Sequence, residues 1–299
     1  MIIHEEVLYM KSGITKRLND RFDQWGDARY TKIKELGFDY VDFQLANTTV
    51  APYTLSDEEA AACLLAEKAA MDAAGITVVQ VHGPWRYPPQ ETTEEERAER
   101  MEKMQRSIRF CALLGCKYWV IHPIMPFGVE ELGTEQEPET WKLNIAFMRR
   151  LLETAKAYDV TICLENMPFR RFSISTPEKI LAFVQEIDDE HFQICLDTGH
   201  VSIFDGRSPA EALRLMKDHV KVLHIHDNSG KGDDHQVPYS GVIDWEDFAH
   251  ALKKINFRGV ISLECNPSGK LPDRAYEAMW RAYAEIAHVI SSEFCTEVE

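Results

Sequence analysis

The 299-residue sequence lacks several features that would place it quickly, and each absence excludes a class. No two of its seven cysteines (Cys63, Cys111, Cys116, Cys163, Cys195, Cys265 and Cys295) are spaced C-x-x-C, and an odd number leaves one unpaired in any disulfide framework. Cys163 in VTICLEN and Cys195 in FQICLD sit in apolar, strand-like runs, so buried reduced thiols are expected rather than a zinc–thiolate frame. No apolar run is long enough to span a bilayer. The opening MIIHEEVLYMKSG carries acidic residues early and lacks the basic-then-apolar order of a secretory signal, so the expected location is cytoplasmic, with no membrane partner. Basic residues are the minority: 33 Lys and Arg stand against 49 Asp and Glu, a formal net charge of −16. That balance disfavours a polyanionic partner, although a local basic groove is compatible with an acidic whole. No linker, low-complexity tract or composition break divides the chain, and one domain over residues 1–299 is expected.

Short β-branched or aromatic runs alternate with longer amphipathic stretches. The strand-like runs are LYM near 8–10, YVDFQL at 40–45, ITVVQVH at 76–82, KYWVIH at 117–122, VTICLE at 160–165, FQICLD at 192–197, VKVLHIH at 220–226 and GVISLE at 259–264. Helical patterns fall between and after them, at 57–75, 97–115, 141–158, 176–187, 208–219, 245–255 and 273–290. Gly37, Gly75 and Gly115 stand where left-handed helix caps are expected, while Ser56 with Glu59 and Thr176-Pro177-Glu178 look like helix starts. Strands that alternate with helices imply a parallel sheet, and the count of eight suggests a closed α/β TIM barrel. The competing open doubly wound sheet is weakened by the missing glycine-rich phosphate loop after the first strand.

The stretch VLHIHDNSGKGDDH, residues 222–235, collects three histidines and three aspartates behind an apolar run. On the barrel reading, His82 ends the third strand, His122 the fourth, Glu165 the fifth and Asp197 the sixth, with His200 three residues beyond. His224 lies near the end of the seventh, Asp233 and His235 follow in its loop, and Glu264 ends the eighth. All fall at the C-terminal face, where barrel enzymes build their sites. A lone histidine there is usually a hydrogen-bonded core residue, and a lone glutamate can cap a helix or pair with arginine. Six consecutive strands delivering His, Asp or Glu to one rim are hard to explain structurally, because burying so many carboxylates without a cation is costly. Imidazole nitrogen and carboxylate oxygen form the donor set of Zn²⁺ or Mn²⁺. His4, His191, His219, His250 and His288 lie in termini, helices or turns and read as solvated; His226 could point inward and support the ligands from behind.

These residues resemble the xylose isomerase-like TIM barrels, a superfamily that holds sugar and sugar-phosphate isomerases and epimerases together with the endonuclease IV family. The resemblance is clearest from the third strand to the eighth. In the isomerase and epimerase branch it implies one divalent ion held by Glu165 in LENMP, Asp197 in LDTGH, His224 in LHIHDN and Glu264 in SLECN. The endonuclease IV branch is similar too, and its three-zinc cluster implies additional ligands at His82, His122, His200, Asp233 and His235. The sequence departs from that branch in its loops. HGPWRYPPQETTEEE is acid-rich, and PIMPFGVEELGTEQEPET holds five glutamates and no Lys or Arg, whereas a phosphate-tracking surface should be basic.

The isomerase and epimerase resemblance implies a small carbohydrate substrate, and the acidic loops disfavour nucleic acid; a homo-oligomer stays open. The implied activity is metal-dependent isomerisation or epimerisation through an enediolate, with Glu165 and Glu264 as the acid/base pair across the substrate carbon. A multi-zinc phosphoesterase, or a lyase or dehydratase on the same barrel, stays open as an alternative. Trp85 can close over the sugar or simply pack its loop. Arg170 and Arg171 in PFRRF, with Lys231, offer cations near the rim for a substrate group, or a solvated loop role.

Overall fold

The structure is a computed structural model that describes residues 12–18, 20–85 and 91–292. The expected run LYM at 8–10 and Cys295 lie outside the described residues. The strand that opens the sheet is β1 (Ser12–Arg17), followed by β2 (Tyr40–Gln44), β3 (Thr77–His82), β4 (Tyr118–Ile121), β5 (Thr161–Glu165), β6 (Phe192–Asp197), β7 (Val220–His224) and β8 (Ile261–Leu263). Its sequence, SGITKR, hides the strand: a glycine and two basic residues dilute the β-branched signal. The site is tight, since a Cβ at Gly13 would lie 3.1 Å from the Val260 side chain and 3.3 Å from that of Tyr40.

Strands pair in parallel in the order β7-β6-β5-β4-β3-β2-β1-β8. Closure comes from the Ile225–Leu263 bridge and the Glu264 N–H donating to the Ile225 carbonyl at 2.9 Å, which joins β7 to β8. The result is a single (β/α)8 TIM barrel.

The outer helices follow the expected pattern. They are α1 (Arg29–Glu35), α2 (Asp57–Ala73), α3 (Glu94–Leu113), α4 (Glu137–Ala157), α5 (Pro177–Ile187), α6 (Thr198–Ser202), α7 (Pro209–Met216), α8 (Trp245–Lys254) and α9 (Asp273–Ser292). Ser56 and Glu59 form a reciprocal capping box on α2, and Thr93 with Glu96 does the same for α3, starting it at Glu94 rather than 97. Gly37, Gly75 and Gly115 all have positive φ, as their cap positions demand. Three described elements carry no sequence signal of the kind used above: the 3-10 segment Arg21–Ala28, α1 and the five-residue α6. Among the described residues six cysteines are free, five of them buried. No described helix is long and apolar enough to cross a membrane.

Period-two alternation fixes the layers inside the barrel. Residues two apart on one strand share a face, so Val120, Cys163, Cys195 and Val222 lie one level beneath His122, Glu165, Asp197 and His224. Those four small side chains form a buried apolar cluster of their own, a floor under the polar rim. The bulky residues, including Trp119, Trp245, Trp280 and Phe183, pack in the larger core cluster. Removing the α2 cap with S56A should cost about 1 kcal/mol. A urea midpoint shifted down with an unchanged slope would show it; an unchanged midpoint would mean that tertiary packing alone holds the α2 start.

Candidate metal centre

The ends of β3 to β8 each deliver a His, Asp or Glu to the rim, as the spacing predicts. His82, Glu165, Asp197 and His224 are the last residues of β3, β5, β6 and β7, and His122 and Glu264 come one residue after β4 and β8. Asp197 also caps α6, its Oδ1 accepting from the His200 N–H at 2.7 Å. The D-T-G-H spacing therefore has a local cause: the cap starts the helix, and the helix turns His200 back to the rim. Gly199 must lack a side chain, because a Cβ there would sit 1.9 Å from the His226 ring.

Glu165 occupies the centre and is 1% exposed. Its Oε2 lies 3.0 Å from His122 Nε2 and 3.6 Å from His82 Nε2, and its Oε1 lies 3.1 Å from His224 Nδ1 and 3.4 Å from His200 Nδ1. His224 Nδ1 is also 3.4 Å from Glu264 Oε2. This nitrogen is buried and makes no aligned hydrogen bond with either carboxylate. Donor atoms of Glu165, Asp197, His224 and Glu264 all lie within 4.8 Å of each other. Three further groupings meet the same limit: His82 with His122 and Glu165, Glu165 with Cys195 and His224, and His200 with His226, Asp233 and His235. The nine strand-end and loop residues expected to bind metal are thus brought together. His226, expected only behind the ligands, takes part in the last grouping while its Nε2 contacts Asp197 Oδ2 at 3.0 Å.

Three of the imidazoles are oriented alike. His82 Nδ1 lies 2.8 Å from the Gly83 carbonyl, His200 Nδ1 2.7 Å from the Asn166 carbonyl and His235 Nδ1 2.7 Å from the Glu264 carbonyl. A carbonyl only accepts, so Nδ1 carries the proton in each contact and Nε2 is turned toward a carboxylate. His200 Nε2 and His235 Nε2 both face Asp233 Oδ2, at 3.3 and 3.2 Å.

The field at this rim favours positive charge. Burial pushes the His200 imidazole down, but Asp197, Asp233 and Glu165 override it and raise its pKa to about 10. Burial likewise opposes a charged His235, yet Asp233 and Glu264 bring it up to about 10. His122 responds in the other direction, pushed by burial to about 4 despite Glu165. Burial raises Glu264, with Glu165 and Asp197 adding to the rise, whereas His224 and His122 outweigh burial at Glu165 and hold it well below the carboxylate range. Such a field, with nitrogen and oxygen donors converging, suits a divalent cation of the Zn²⁺ or Mn²⁺ kind.

The rim opens into a cavity of about 420 Å³. Trp85, Met167, Pro168 and Phe169 supply apolar wall and Gln44 an amide. Trp85 stands edge-to-face on His122, with ring centroids 4.3 Å apart. No Lys or Arg is among the described lining residues. Of the expected substrate contacts, only Trp85 lines the cavity. Arg170 pairs with Asp205 at 3.4 Å, Arg171 with Glu130 at 2.9 Å, and Lys231 is exposed in its loop. The structure adds Asp42 and Gln80, buried on β2 and β3 directly below this rim. Their signal was a carboxylate and an amide inside the strand runs YVDFQ and TVVQVH.

A family model described as xylose isomerase-like TIM barrel matches residues 30–284. The chain belongs to this family. Among its curated relatives is an uncharacterized protein of Methanocaldococcus jannaschii, 31% identical over 62% of the chain; the match spans 64% of that relative's length. A D-psicose 3-epimerase of Ruminiclostridium cellulolyticum is 25% identical over 81% of the chain and 79% of its own length. A probable endonuclease 4 of Mycoplasmopsis agalactiae is 26% identical over 54% of the chain and 58% of its own length. Among solved structures, a D-tagatose 3-epimerase-like protein superposes with a TM-score of 0.71 at 26% identity, covering 93% of this chain and 98% of the other. The xylose isomerase-like family thus brings both epimerases and an endonuclease into comparison.

Cation binding to these donors should stabilise the native state by mass action. Mn²⁺ or Zn²⁺ added to chelator-stripped protein is expected to raise the melting temperature, and G199A, which displaces His226, should blunt the rise. No shift with either ion would contradict the assignment of this rim as a metal centre.

Proposed function

We propose that the protein is a divalent-cation-dependent carbohydrate epimerase or isomerase that moves a proton at the carbon beside a carbonyl. The observation that carries this reading is the convergence of buried Glu165, Asp197 and His224 with the part-buried Glu264, the two glutamates lining a cavity beside Trp85, Met167 and Phe169. The similarity to psicose and tagatose 3-epimerases supports it.

A divalent cation held by Glu165, Asp197, His224 and Glu264 would supply Lewis-acid polarisation of the carbonyl and its neighbouring hydroxyl. The chain's own groups do the rest. One glutamate takes the proton from the substrate carbon onto a carboxylate oxygen, leaving an enediolate. Return of a proton from the other glutamate to the opposite face of the same carbon gives the epimer; return to the adjacent, former carbonyl carbon, with the hydroxyl proton passing from one oxygen to the other, gives the isomer. Trp85, Met167 and Phe169 cover the apolar edge of the sugar and keep water from the carbanionic stage. The amide of Gln44 can receive or give a hydrogen bond to a hydroxyl.

The grouping of His200, Asp233 and His235 favours a second reading, a multi-zinc phosphoesterase, because a one-ion epimerase does not need it. Hydroxide attack on phosphorus at a multi-metal site would use it. Against this stands the cavity wall, which shows no Lys or Arg among the described residues to hold a phosphate backbone.

Metal-loaded protein incubated with ketoses in D₂O should exchange deuterium at the carbon next to the carbonyl. E165Q and E264Q should each slow that exchange by about 10²- to 10⁴-fold. Absence of exchange across a broad panel of ketoses and their phosphates, together with chelator-sensitive cleavage of abasic-site duplex, would move the assignment to the hydrolase.

A further inference from the structure

His224 departs from the orientation that three of the other rim histidines share. His82, His200 and His235 donate from Nδ1 to a backbone carbonyl and turn Nε2 toward a carboxylate. His224 is reversed: Nδ1 faces Glu165 and Glu264, and Nε2 points down to Asp42 Oδ2 at 3.0 Å. No carbonyl plays this part; a carboxylate on the far side of the barrel does, reached across the interior from β2. We propose that Asp42 is a positioning residue for the metal centre, fixing the proton on His224 Nε2 so that Nδ1 keeps its lone pair for the cation. The inference rests on the reading of His224 as a metal ligand.

Asp42 is an unusual residue for its position. It is completely buried on a central strand, and among the described residues its one ion-pair partner is His224. A carboxylate taken so far from water persists only if something in the fold uses it. Gln80 and Gln44 hold it in place, donating from Nε2 to the same Oδ2 at 3.2 and 3.1 Å. Gln80 also donates to the Leu223 carbonyl at 3.2 Å, which sets the direction of its amide and ties the cluster to the residue before His224. Oδ1 of Asp42 has no hydrogen-bond partner. The contacts therefore all gather on the oxygen that accepts from His224. Strand register explains the depth: Asp42 pairs with Gln80 and Gln44 with His82, so Asp42 and Gln80 lie one level beneath the rim. A ring reaching up from β7 is thus gripped at its lower nitrogen by the layer below.

A carboxylate behind an imidazole fixes the tautomer and raises the basicity of the coordinating nitrogen, and removal of such a partner typically costs about 10- to 100-fold in metal affinity. D42N keeps the shape but removes the charge, and its amide can donate to Nε2 and release the proton to Nδ1. Two measurements test the role. Mn²⁺ titration of chelator-stripped protein should show D42N binding about 10- to 100-fold more weakly than wild type, with its circular dichroism unchanged. Independently of any variant, histidine ¹⁵N shifts of the Zn²⁺-loaded wild type should place a proton on Nε2 and the metal on Nδ1 of His224, the signal being assigned by its loss in H224Q. Wild-type affinity in D42N, or a proton on Nδ1 of His224, would overturn the proposal. Failure of the wild-type protein to bind any divalent cation would instead overturn the metal-centre reading beneath it.

Discussion

The rim depends on one constraint: Glu165, a carboxylate with almost no access to water, must be surrounded closely enough to remain ionised. Four imidazoles, those of His82, His122, His200 and His224, lie within 3.6 Å of it. Positions of the neighbouring strands follow from that requirement. β4 must place His122 just past its last residue, β7 must carry His224 at its last residue, and Asp197 must cap α6 so that His200 turns inward. The apolar floor of Val120, Cys163, Cys195 and Val222 serves the same end, since small side chains beneath the rim leave the carboxylate and its partners room at one level.

Much of this was legible in the sequence because the barrel has a strict grammar. One ionisable residue at the end of each strand from β3 to β8 is a repeating signal, and alternation on a strand says which neighbours share its face. The helix caps at Ser56 and Gly75 were equally readable, each being a local chemical requirement. What escaped lacked such a pattern. β1 is masked by Gly13, Lys16 and Arg17; Lys16 is a fully buried lysine whose amine lies 3.2 Å from Asp20 and 3.1 Å from Asp23. Asp42 escaped because a single carboxylate in YVDFQ says nothing of a partner 182 positions away. Loop side chains were the least readable. Spacing put Arg170 and Arg171 near the mouth, but their direction is set by Asp205 and Glu130, and neither lines the cavity.

The two functional readings differ in how many of these donors are used. Both share Glu165, Asp197, His224 and Glu264. The groupings around His82 with His122 and around His200 with Asp233 and His235 set this chain apart from a minimal one-ion centre, and Glu165 belongs to the first of them. The cavity speaks to the substrate instead: a tryptophan, a methionine and a phenylalanine beside carboxylates suit the apolar edge and the hydroxyls of a sugar better than they suit a phosphate chain.

The central claim is that Glu165 is the shared ligand of a divalent-cation centre at the C-terminal mouth. Anomalous scattering from crystals of protein loaded with Mn²⁺ tests it most directly. The account predicts an anomalous peak within coordination distance of Glu165, Asp197, His224 and Glu264. A peak elsewhere on the molecule, or a well-ordered rim with no peak at saturating Mn²⁺, would contradict it.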